Sequence, residues 1–247
     1  MNNYIRADLR RIVRRIPRII ILTIYFAVFA IFYIVDARKS SWNSVQFISL
    51  VQGFCSFLPP ILGLIELICV YSDDFRAKTM QVAIGIGIPR RKVVMAKYIE
   101  TAILTFADLI IFVVLCVVLN AISGIVLRSD LVMEMFGEFL FGWFAVLGYT
   151  GLTMILIFYM QGTGIATILY LILSTNLVQW LLQNITSLPA IRGLHLQNVL
   201  LSTALGNFRT KMIIGTFNFR SFITIVIYIV AAYFITNAVF NKRELEF

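Results

Sequence analysis

Two carboxylates, Glu66 and Asp108, stand inside apolar runs of this chain. An ionisable group within a bilayer is costly to keep, so such groups usually face a bundle interior or a water-filled cavity. Two readings of the pair are open. They could line a substrate or proton pathway. Alternatively, Glu66 snorkels from its place near a helix end, and Asp108 pairs with a polar side chain on a neighbouring helix. Asn176 is a third polar residue in an apolar run, read either as part of that pathway or as an interhelical hydrogen bond. His195, the single histidine, has no carboxylate or cysteine beside it, and Cys55, Cys69 and Cys116 fall in apolar runs without a CxxC pattern. Neither a metal site nor a disulfide framework is indicated. No GxxxxGK[ST] occurs, so nothing here cradles a nucleotide phosphate. No catalytic residue and no cofactor are expected in this chain.

The other polar feature is the segment Tyr71–Lys97, YSDDFRAKTMQVAIGIGIPRRKVVMAK, flanked by long apolar runs. Asp73 and Asp74 suit a helix N-terminus by capping and dipole. Lys78, Thr79 and the following apolar residues continue that helix to Ile84. Gly85 and Gly87 permit a sharp turn, and Pro89 can begin a new helix at its first position. Arg90, Arg91 and Lys92 would ride a short second helix leading back to the next apolar run. A charge-rich helix–turn–helix of this kind, at 71–98, suits docking into a groove on a partner.

The elements that carry these residues follow from composition. Hydrophobic residues make up 60% of the 247 and charged residues 13%, and mean hydropathy is +0.92. A soluble domain is nearer half apolar and a quarter charged, so the fold class is all-α, a polytopic membrane protein forming a single domain over 1–247. The net charge of +9 reads as basic residues holding loops on the cytoplasmic side, with no nucleic acid partner. Residues 1–18 carry six arginines with apolar residues at helical spacing. They predict an amphipathic helix lying against anionic lipid headgroups. Six spans are expected, at about 19–35, 45–70, 101–126, 139–160, 165–182 and 222–240. Pro59-Pro60 should kink the second. The stretch 184–221, broken by Pro189, Gly193, Gly206 and Gly215, holds apolar patches too short to cross, and reads as re-entrant or extracellular helices. Lys and Arg divide fourteen to seven across alternate loops, which favours both termini in the cytoplasm, together with Tyr71–Lys97.

With the motifs placed, the chain resembles the permease subunits of ABC transporters of the type-2 exporter class, closest to small bacterial permeases of antimicrobial-peptide or bacteriocin export and immunity. The resemblance rests on the N-terminal interfacial helix, the six spans, and a pattern between spans two and three. Here that pattern reads Asp73-Asp74-Phe75-Arg76-Ala77-Lys78-Thr79-Met80, then Gly85-Ile86-Gly87-Ile88-Pro89-Arg90-Arg91, then Lys97. Aspartates stand where such permeases often have a glutamate before Lys-Thr. The resemblance implies that residues around Ile84–Arg91 form a coupling helix seated on a separate ABC ATP-binding subunit, which binds ATP and Mg. It also implies a second permease copy or a related permease, export of an amphipathic or peptide substrate, and a place in the bacterial cell membrane. A proton-coupled transporter using Glu66 and Asp108, and a non-pumping immunity or scaffold protein, are the alternatives.

Overall fold

The apolar runs fold as helices at once, because backbone groups removed from water must bond within their own segment. In the computed structural model the described residues are 2–38, 42–76, 79–124, 129–175, 180–181, 184–185 and 200–242, and every element they form is helical. Helix α1 covers Asn2–Val13 and α2 covers Ile16–Ala37, with Pro17 in the first turn where its missing N–H costs nothing. Helix α3, Ser44–Leu67, is capped by Asn43, whose Oδ1 accepts from the Gln46 amide at 3.0 Å. It continues through Pro59-Pro60 as one helix and passes into a π-helical turn, Ile68–Ser72. Two short helices follow, α4 (Asp73–Arg76) and α5 (Thr79–Gly85). Then come α6 (Arg90–Ser123), α7 (Ser129–Met160), α8 (Gly164–Ser174), α9 (Leu201–Ile213) and α10 (Phe219–Lys242).

Five of these helices are long and apolar enough to cross a membrane: Ile16–Ala37, Ser44–Ser72, Arg90–Ser123, Leu131–Met160 and Phe219–Lys242. Three expectations are corrected, and a fourth is met only in part by the described residues. Of the span expected at 165–182 they form an 11-residue helix, Gly164–Ser174, which ends as the backbone turns extended at Thr175, and 176–179 lie outside them. At 1.5 Å per residue that helix reaches about 16 Å, roughly half a hydrocarbon core. The short helix expected to carry Arg90, Arg91 and Lys92 is the start of α6, continuous with the third span. Pro89 is the N-cap of that helix and not its first residue. The stretch between the third and fourth expected spans, which end and begin at about 126 and 139, is helical from Ser129 onward.

Helix α7 is the hub, packing against α3, α6, α8, α9 and α10. Helix α9 lies antiparallel to it, with Leu201 against Gly148 and Met212 against Gly137. At Gly63 of α3 an added Cβ would stand 1.7 Å from the Tyr170 hydroxyl, which donates to Pro59 O at 2.6 Å. Only glycine admits that ring. Aromatic rings from α2, α3 and α6 interlock in the core: Tyr25 and Phe29 meet Phe54 edge to face, Phe29 meets Phe112 in the same way, and Phe26 stacks on Phe112. At one end, α1 packs on α6, and Arg90 donates to Phe240 O of α10 at 2.7 Å with its guanidinium 5.4 Å from the Phe240 ring. The N-terminal helix, the α4–α5 segment and the last turn of α10 therefore share one end of the bundle.

Candidate functional site

The α4–α5 segment is built on a buried ion cluster. Asp74 Oδ1 accepts from Arg11 at 2.6 Å and from Thr79 Oγ1 at 2.8 Å, and its other oxygen pairs with Lys97. Lys97 is fully buried in α6 and also pairs with Asp8 and, at 3.1 Å, with Glu100. Arg11 closes the ring by bonding Asp8 at 2.5 Å. Burial alone would raise the Asp74 carboxyl, but Lys97 and Arg11 outweigh it and hold the group below its ordinary value. Residues that lay far apart in sequence thus clamp three elements: α1, the α4–α5 segment and α6. Thr79, named from sequence, is a bonded member of the cluster. Lys78 and the side chain of Asp73 lie outside the described residues, as do Asn176 and His195.

What the cluster holds up is a turn with a defined geometry. Gly87 has φ +96°, its amide bonds Ile84 O at 3.0 Å, and the Ile88 amide bonds Ala83 O at 3.1 Å. This is a Schellman closure of α5, with glycine at the left-handed position. Pro89 follows and its carbonyl starts α6, accepting from Lys92 at 2.8 Å. Ile84 and Ile88 pack down onto the core. Val82 and Ile86 point away, 62% and 77% exposed, beside exposed Gly85, Gly87, Arg91 and Lys92. The tip is apolar with a basic rim. Arg90 is not part of that rim, because it is drawn onto the end of α10.

Glu66 and Asp108 are brought together, on a residue the sequence reading placed elsewhere. Arg18 of α2 donates through Nε to Glu66 Oε1 at 3.0 Å and through Nη2 to both oxygens of Asp108 at 2.7 Å. All three are buried. A second pair, half-buried Arg209 Nε with buried Glu138 Oε1 at 2.7 Å, joins α9 to α7. Arg209 counted as a loop residue in the charge tally, and Glu138 as the end of a connection.

A profile of the family described as "ABC-2 family transporter protein" matches residues 9–178, most of the chain, including Arg11, Arg18, Glu66, the α4–α5 segment, Lys97 and Asp108. The chain belongs to the ABC-2 transporter family. It is a multi-pass membrane protein and a transport component. No curated protein matches the chain. For this ABC-2 protein the sequence reading located the tip but missed Asp8, Arg11, Arg18 and Glu100. A signal for two of them was present: Arg11 and Arg18, with Arg15 between them, repeat at i, i+4, i+7, a helical spacing, although the helix breaks between Val13 and Ile16. Arg15 reaches Ile68 O at 3.4 Å. Arg6, Arg10 and Arg14 form the other face and are exposed.

Proposed function

We propose that this chain is the permease subunit of an ATP-driven ABC exporter in the bacterial cell membrane, with both termini cytoplasmic. ATP and Mg are bound by a separate ABC ATP-binding subunit, and α5 with the turn to α6 is the helix that seats on it. The observation that carries this reading is the tip itself: Val82 and Ile86 exposed on a turn closed by Gly87, and mounted on the Asp74–Lys97 cluster. An exposed apolar pair at a loop tip, rimmed by Arg91 and Lys92, has the anatomy of a small docking surface. Because Lys97 belongs to the same continuous helix as the third span, force on the tip passes directly into the membrane region.

Two permease copies, or this chain and a related permease, would complete the channel. The substrate class is an amphipathic or hydrophobic molecule such as an antimicrobial peptide. Helix α9, half a membrane thick and antiparallel to α7, fits the outgoing limb of a re-entrant hairpin. Glu66 and Asp108 are assigned to holding α2, α3 and α6 together, since both already bind Arg18; the proton-pathway alternative loses its free carboxylates. The test is to co-express the chain with the ATP-binding subunit encoded beside its gene. Co-purification and stimulated ATP turnover support the reading; a permease that neither retains nor stimulates that subunit refutes it.

A further inference from the structure

Helix α1 carries two arginine sets that do different things. Arg11, with Asp8, is bound into the Asp74–Lys97 cluster, and Ile12 is buried in the core. On the opposite side Arg6 and Arg10 stand one turn apart, and Arg14 continues the line just past the helix end; all three are exposed. No acidic side chain among the described residues is recorded in an ion pair with them. Beside them Val13 and Ile16 are also exposed, and α2 enters the apolar layer at once. Three unneutralised cations next to an apolar lip, at the boundary of a span, match the chemistry of an anionic bilayer surface.

We propose that α1 is a strap between the membrane surface and the α4–α5 segment: its outer arginines bind anionic phospholipid headgroups, and its inner face holds Asp74. Anionic lipid then sets how firmly α5 is seated. The consequence for transport rests on the coupling role proposed above; the lipid-to-α5 link does not. The attraction of three surface cations to an anionic leaflet favours the seated helix by on the order of a hundredfold, while neutral lipid supplies none of that. Interfacial water and salt reduce the effect, so it weakens with ionic strength.

The measurement is hydrogen exchange of the full-length protein in nanodiscs of pure phosphatidylcholine and of phosphatidylcholine with phosphatidylglycerol, with no ATPase present. Anionic discs should slow exchange of the amides of α1 and of α5 by about tenfold or more at low salt. Arg6→Gln/Arg10→Gln/Arg14→Gln should abolish the difference in both helices, with an unchanged melting temperature in neutral detergent. Arg11→Gln should keep the lipid response of α1 and lose that of α5. The proposal is overturned if wild-type α5 exchanges alike in both discs, if the triple variant still responds, or if α5 of Arg11→Gln responds like wild type. Since no ATP-binding subunit is used, failure here leaves the coupling role standing, and failure of coupling leaves this result standing.

Discussion

Arg18 Nη2 lies 2.7 Å from each oxygen of the Asp108 carboxylate, while Arg18 Nε holds Glu66 at 3.0 Å. One guanidinium therefore fastens α2 to α3 and α6 within the apolar layer. Leaving its two partners without it puts uncompensated carboxylates in a buried site. Arg18→Met should destabilise the protein by about 3–5 kcal/mol, seen as a large fall in melting temperature in detergent and in membrane yield. Adding Glu66→Gln and Asp108→Asn to Arg18→Met should recover much of the loss, because neutral side chains no longer need the cation. A triple variant no more stable than the single one would argue against the ion-pair account.

Asp74 adds an acid-side pH dependence to the buried cluster behind the α5–α6 turn. Its carboxyl is held below the ordinary value of 3.8, so the charged form is favoured by folding. That contribution is complete above 3.8 and is lost as pH falls through the lower folded value. Asp74→Asn should therefore cost about 1–3 kcal/mol at neutral pH. The gap to wild type should close as pH falls below 3.8. Melting curves across this range check it; a gap that widens on acidification has the wrong sign for a depressed carboxyl.

Gly63 and Tyr170 make a shape prediction free of charge effects. A Cβ at position 63 would fall 1.7 Å from the Tyr170 hydroxyl and 2.2 Å from its ring carbon. Gly63→Ala should cost about 1–3 kcal/mol or more through overpacking. Tyr170→Ala alone should also destabilise, by leaving a cavity. The two together should be less harmful than the sum of the singles, because truncating Tyr170 removes the ring that the new Cβ would strike. Additive losses in thermal unfolding would mean that the contact does not govern packing here.

Much of this architecture was legible before any coordinates. Spans declare themselves through composition, since about 20 apolar residues have few other uses, and the glycine–proline punctuation at 85–89 marked the turn that Gly87 closes. Legibility failed where local sequence is ambiguous and a distant partner decides. Arg18 sits in an arginine-rich run and reads as one more interfacial cation; only Glu66 and Asp108, 48 and 90 residues away, pull it inside. Lys97 was visible as a motif residue, but its burial depends on Asp8 and Asp74 arriving from α1 and α4. Glu138 looked like a loop acid because nothing nearby pairs with it; Arg209 does, from α9. The end of α8 at Ser174 left no mark either, since the apolar run goes on beyond it.

The central claim is that the tip of the α5–α6 turn receives the ATP-binding subunit, and one comparison tests it most directly. Ile86→Asp with Arg91→Glu changes only exposed positions, so the melting temperature of the permease should stay within about 0.5 kcal/mol equivalent of wild type. Affinity for the ATP-binding subunit should fall by roughly thirtyfold, as expected for losing a docking anchor worth about 2 kcal/mol, and stimulation of ATP turnover should fall with it. Wild-type affinity and stimulation in that variant would contradict the claim and move the coupling surface elsewhere on the molecule.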